Sequence, residues 1–473
     1  MGVFSLRKTK QRRNSFTVAL DQSKINKIKL AHAVFKIKSR GITPVFPPKV
    51  KMKRKSKLVV PEIPVQPLPP SFFLPSYKPA RPMLRPVTKK ELVVGRVVEV
   101  VEGVGRREMY GSDATVDISY PMRAFIIGSS GAGKTNLCKV LIEEYFDKGK
   151  DRHILVLDNE NEYAFMARKS TDPTIYEFGL SPKEYPVRII SLQSILDKYR
   201  DFFMSISPSI ELSPVTVDWS LINTTLLQLL TGFTKPEITP FLQPAVEKYL
   251  MKGDYSLEGL ESALESAEQL SDRLKIGMIA RLEELTDLGV LSNFDYRQFF
   301  HDRKINVFFI PASMFSSDEI TFWAVFFSTF ARRIAEEWDI PLFVVMDEAR
   351  EYAKAMHQRK VTKQEIGSIF TKGRKRDIDA VISTNSSEII TDILPNVTHS
   401  FFLKFRATSS FIKEKIFPSD AVAQKAKEIP RYHAILWDQD RDLALLAKIR
   451  PARSFNPPHR RYTEEALEAS EEL

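Results

Sequence analysis

The run Gly128-Ser129-Ser130-Gly131-Ala132-Gly133-Lys134-Thr135-Asn136 has the residue types and spacing of a loop that wraps phosphate. Glycines let backbone amides close around phosphate oxygens, and a helix starting at the loop's end favours negative charge there. Lys134 is placed to reach the outer phosphates, and Thr135 offers a hydroxyl to Mg²⁺. Binding is half of such chemistry, because cleavage also needs carboxylates at the end of a second strand. Leu342–Met346 supplies that strand and ends in Asp347-Glu348, one acid for the magnesium shell and one to polarise an attacking water.

These side chains need a scaffold, and the chain has the pattern for one. Apolar runs of strand length recur at Arg123–Ile127, His153–Leu157, Ile305–Ile310, Leu342–Met346, Ala380–Ser383 and Phe401–Phe405, separated by stretches of helical spacing. Continuous apolar strands between helices predict an α/β fold with a mainly parallel sheet buried on both faces. The first run leads into the phosphate loop, and NLCKVLIEEYF after the loop is helical. Residues 220–291 read as a helical insertion, and Ile429–Ile449 as a closing hairpin. Short β-branched runs broken by Gly95, Gly103, Gly105 and Gly111 predict a small β subdomain over residues 89–120. We therefore expect an ATPase domain over 121–450 and a polar acidic tail over 451–473.

The net charge of +11 is unevenly spread, since residues 1–60 hold 17 Lys and Arg against the single acid Asp21. Residues 1–58 form a basic arm suited to polyanions, either nucleic acid or an anionic lipid surface. Ser23–Arg40 has the spacing of a basic amphipathic helix and also the composition of a solvated tail. Proline, 12 of 29 between Pro44 and Pro86, makes residues 59–88 a semi-rigid linker. The single cysteine, Cys138, excludes an internal disulfide, and no apolar run is long enough to span a membrane. We expect an intracellular, cytoplasmic setting, and the seven histidines show no transition-metal spacing.

Taken in order, the motifs resemble those of the HerA/FtsK superfamily of P-loop ATPases, which includes conjugation and type IV secretion motors. After the P-loop, Leu157-Asp158-Asn159-Glu160-Asn161-Glu162-Tyr163 is similar to the family's strand, Asp and Gly-Glu-Tyr turn. Asp347-Glu348 follows, then Gly373-Arg374-Lys375-Arg376, which looks like the Gly-Arg-Lys segment, and Ile382-Ser383-Thr384-Asn385, which looks like the polar sensor. Asn161 and Asn385 stand where glycine and glutamine are usual, and Asp377-Ile378-Asp379 lacks the glycine that usually follows the Gly-Arg-Lys segment.

The resemblance implies a RecA-like fold that uses ATP and Mg²⁺. It assigns Lys134, Asp347 and Glu348 to catalysis, Thr135 and Asp347 to the metal, and Asn385 to the lytic water or the γ-phosphate. Arg374, with Arg376 as runner-up, becomes an arginine finger acting on a neighbouring subunit. A ring, most often a hexamer, follows from a finger in trans. The expected function is an ATP-driven double-stranded DNA translocase with a nuclease, capsid or secretion partner. A secretion, pilus or conjugation motor acting on a protein or membrane partner is the alternative, and a non-translocating ATP-binding scaffold or nucleic-acid regulator the second. His357–Arg376, with seven basic residues against Glu365, reads either as a DNA-facing loop or as a solvated helix surface.

Overall fold

The computed structural model describes residues 90–102, 109–149, 151–350, 352, 367–371, 377–385, 394–405, 417, 419–439 and 441–457. The basic arm, the linker, Arg374, Arg376 and most of the stretch 357–376 lie outside the described residues.

The strands are β1 (Glu91–Glu102), β2 (Asp113–Asp117), β3 (Arg123–Ile127), β4 (His153–Asp158), β5 (Val187–Ser191), β6 (Glu211–Pro214), β7 (Val217–Asp218), β8 (Leu291–Ser292), β9 (Ile305–Phe309), β10 (Leu342–Met346), β11 (Ile378–Thr384), β12 (His399–Phe402), β13 (His433–Asp438) and β14 (Leu443–Ile449). Twelve of them form one sheet in the order β2-β1-β14-β13-β12-β3-β11-β10-β4-β9-β5-β6. Pairing is parallel from β12 through to β6 and antiparallel from β12 back to β2. This is the mostly parallel sheet of a RecA-like P-loop fold.

Alternation explains why the strands read as unbroken apolar runs. Leu342, Val344 and Met346 of β10 enter one core layer while Phe343 and Val345 enter the other, so both faces are buried. The first layer is covered by the phenylalanine-rich helix Ser317–Glu337, which starts with a Ser316/Glu319 capping box. The helices of the insertion, Thr224–Thr231, Thr239–Lys252, Leu257–Glu265 and Asp272–Asp287, pack onto the same layer through Leu226, Leu242, Leu260 and Met278. The P-loop helix, Lys134–Lys148, covers the second layer with Leu137, Val140 and Leu141.

Three details differ from the sequence reading. The strands expected over 89–120 are β1 and β2, and they extend the central sheet through β14. The run expected at Phe401–Phe405 pairs earlier, as β12, because the polar Thr398-His399-Ser400 stretch carries its start: the backbone of Thr398 and its hydroxyl both bond Arg123 of β3. Strands β5 and β6 were hidden by charge. Arg188 sits inside β5, yet it is buried because its guanidinium donates to Glu211, Asp302, Asn306 and the Phe299 carbonyl.

Candidate active site

The P-loop connects the end of β3 to the helix Lys134–Lys148, and two glycines make the turn possible. A Cβ on Gly128 would stand 2.9 Å from the Cβ of Leu403, on the segment leaving β12. Gly133 caps the helix at φ 103°, a conformation that L side chains avoid. It offers no side-chain cap, so the N–H groups of the helix's first turn are left to face an anion.

The acid pair lies two strands away, at the carboxyl end of β10, with β11 between it and β3. Thr135 donates its hydroxyl to Asp347 Oδ2 at 2.8 Å. Glu348 has φ 48°, a left-handed conformation that turns the chain sharply off the strand. Its amide donates back to Asp347 Oδ1 at 2.9 Å, and its carboxylate pairs with Lys134 Nζ at 3.0 Å. Lys134 is 4% exposed, so this ion pair is largely shielded from water. Four residues named from sequence on separate segments, Lys134, Thr135, Asp347 and Glu348, thus converge.

Two further residues hold Asp347, and sequence reasoning assigned neither a role. Tyr163 donates its phenol to Asp347 Oδ2 at 2.8 Å, and the Ser383 hydroxyl donates to Oδ1. Both lay within segments already singled out, the Glu162-Tyr163 turn and the Ser383-Thr384-Asn385 strand tip, so the signal was there without its contact. Asp158 builds the turn that delivers Tyr163, accepting from the amides of Glu160 at 3.0 Å and Tyr163 at 2.9 Å.

Electrostatics around the pair are strongly perturbed. Burial raises the Asp158 carboxyl above its ordinary range, against the pull of the turn amides. Burial also pushes Glu162 up to about 7, against the pull of Lys139, with the Asp347 and Asp158 charges adding to the rise. Lys139, fully buried in the P-loop helix, is shifted down by burial, and its ammonium donates to the Phe455 carbonyl at 3.1 Å. Cys138 is buried in the same helix, and burial and the Asp347 charge push its thiol up, which makes it packing rather than a nucleophile.

Asn385 follows β11 and stands in register beside Gly128, since Thr384 pairs with Ile127 and the Gly128 amide donates to the Thr384 carbonyl at 3.3 Å. Its side-chain oxygen is buried without a hydrogen-bond partner among the described residues. The Asn136 side chain is engaged elsewhere: it donates to the Arg450 carbonyl and accepts from the Ala452 amide and the Asn456 side chain. Only its backbone amide remains for a phosphate. The departures at Asn161 and Asp377 have a backbone explanation, because their φ values of 61° and 55° fall where glycine, or next best Asn and Asp, is accommodated.

Residues 102–310 match the family model described as Helicase HerA, central domain. No curated protein matches the chain. Among solved structures, VirB4 of Thermoanaerobacter pseudethanolicus is similar at 14% identity and a TM-score of 0.48, covering 76% of this chain and 96% of that one. The bacterial conjugative coupling protein TrwBdeltaN70 is similar at 14% identity and TM-score 0.43, covering 72% and 87%. The genome packaging NTPase B204 of Sulfolobus turreted icosahedral virus 2 is similar at 10% identity and TM-score 0.32, covering 70% and 96%. Among the described residues no helix is long and apolar enough to cross a membrane. The HerA match over residues 102–310, together with a P-loop facing a strand-end acid pair, supports a P-loop ATPase of the HerA/FtsK type.

Proposed function

We propose that the protein hydrolyses ATP and uses the energy to move double-stranded DNA, as a ring in which neighbouring subunits share each site. The observation that carries the hydrolytic part is the convergence of Lys134 on Glu348 and of Thr135 on Asp347. A P-loop that only bound nucleotide would have no need of a strand-end acid pair whose first member, Asp347, is buried and held by Tyr163 and Ser383.

Lys134 would stabilise charge on the outer phosphates, and Glu348 would accept a proton from the attacking water. Asn385 would orient that water or a γ-phosphate oxygen. A hydroxyl and a carboxylate oxygen meeting at the end of the P-loop are the hard donors that Mg²⁺ takes, so Thr135 and Asp347 would hold it. When bound, the ion neutralises charge on the phosphate oxygens. Arg374, with Arg376 second, would supply a finger to the adjacent subunit, which is why the reading includes a ring, expected to be a hexamer.

The DNA part rests on the HerA match and the basic arm, whose excess of Lys and Arg suits the phosphate backbone. The test is ATP hydrolysis with and without linear double-stranded DNA, for the full chain and for one lacking residues 1–60. We expect several-fold stimulation that persists after truncation. Hydrolysis without stimulation in either form would exclude DNA as the track and favour a protein or membrane partner.

A further inference from the structure

Asn159 is a residue to which neither the motif pattern nor the resemblance gave a role. It is 5% exposed, and its side-chain nitrogen is buried with no hydrogen-bond partner among the described residues, while its backbone carbonyl is occupied by the Ala312 amide at 3.1 Å. A buried donor without an acceptor is costly, and native structures rarely keep one without a use.

Its place in the sheet indicates the use. Strands β4 and β10 pair in register up to Leu157 beside Met346, so Asp158-Asn159 and Asp347-Glu348 leave neighbouring strands at the same edge of the sheet. On the other flank β11 pairs Ile382 with Met346, which brings Ser383 beside Asp347 and leaves Asn385 just beyond Glu348. The proposed general base thus leaves the sheet edge between two strands that each end in an amide. One has an unused donor, and the other an unused acceptor.

We infer that Asn159 is a catalytic residue that holds the attacking water through its side-chain N–H, an inference that rests on the hydrolytic reading of the site. A water molecule poised for attack has two protons and two lone pairs to place. One lone pair must face the γ-phosphorus, and the other accepts from Asn159 Nδ2. One proton goes to Glu348, and the other is donated to Asn385 Oδ1. The water oxygen bonds to the γ-phosphorus as the bond to the β–γ bridging oxygen breaks, and that electron pair leaves with ADP. The proton taken by Glu348 passes on to the phosphate product. Neither amide is titrated or consumed, and each fixes one direction of the water in a way that a carboxylate alone cannot.

The test compares wild type with Asn159→Leu, which keeps the side chain's size and removes the amide, and with Asn159→Ser, which restores a small donor. Four quantities are read: affinity for ATPγS, single-turnover cleavage of ATP, capture of ADP by aluminium fluoride, and the melting midpoint of the nucleotide-free protein. For Asn159→Leu we expect ATPγS affinity within about twofold of wild type and cleavage slower on the order of 100-fold, as for loss of one preorganised donor. Aluminium-fluoride capture, which needs the in-line water, should be lost, and Asn159→Ser should recover part of both. The melting midpoint should hold or rise, since an unpaired donor has left the interior.

Wild-type cleavage and capture in Asn159→Leu would overturn the inference. So would a lowered melting midpoint with cleavage intact in both variants, which would mark Asn159 as the anchor of a structural water in its own turn. Wild-type protein that binds ATPγS but never cleaves ATP would instead overturn the hydrolytic reading itself.

Discussion

The P-loop helix has two polar surroundings that look alike in composition and behave oppositely. Along the flank covered by the segment after β14, everything is satisfied. Arg450 is 1% exposed, and all its N–H groups find acceptors on Glu143, Glu144 and the carbonyls of Val93, Val140 and Pro451. Glu143 in turn accepts from the Arg453 amide and from the amide and hydroxyl of Ser454. At the helix's N-terminal end and the adjoining strand tips, the side-chain atoms Asn159 Nδ2, Asn161 Oδ1 and Asn385 Oδ1 are buried without partners among the described residues, and Glu348 is in a left-handed conformation. Both regions bury charge beside the same helix. The closed one fastens β14 and residues 450–456 to that helix; the open one keeps hydrogen-bonding capacity in reserve, as a site for a transient ligand must.

The sharpest way to break this comparison is to damage the closed region. Arg450→Ala would leave Glu143 buried without its counter-charge and Glu144 with Lys148 as its remaining cation, and we expect a loss of about 3–5 kcal/mol in stability. Chemical denaturation would measure it, and a loss under about 1 kcal/mol, the scale of an exposed ion pair, would erase the distinction between the two regions. A smaller effect is expected at the open end. Asn161 has φ 61°, so Asn161→Ala should cost about 1–2 kcal/mol while Asn161→Gly is tolerated. The same denaturation series checks it, and equal stability of the two variants would mean that the turn relaxes.

Legibility in the sequence followed how local each feature is. The P-loop and the strand ending in Asp347-Glu348 are contiguous motifs, and the structure brings Lys134 to Glu348 and Thr135 to Asp347 as their spacing and flanking elements implied. Tyr163 and Ser383 reach Asp347 only through the sheet order β11-β10-β4, which no local pattern encodes. Arg188 broke the apolar run that would have revealed β5, because its buried charge is satisfied by groups distant in sequence. Asn161 and Asp377 looked like departures because the motif was read as residue identity, whereas the requirement is a positive φ. Arg450 gave no signal at all: a lone arginine after a strand reads as surface until Glu143 and Glu144 are placed beside it.

The central claim is that the open end of the P-loop helix is a hydrolytic site whose base is Glu348. The most direct test is Glu348→Gln, comparing ATP affinity with turnover in the presence of Mg²⁺. Glutamine keeps the shape and one acceptor while losing the basic carboxylate, so we predict binding within a few-fold of wild type and turnover lower by about 10²–10⁴-fold. Turnover of the Glu348→Gln variant at the wild-type level would contradict the account.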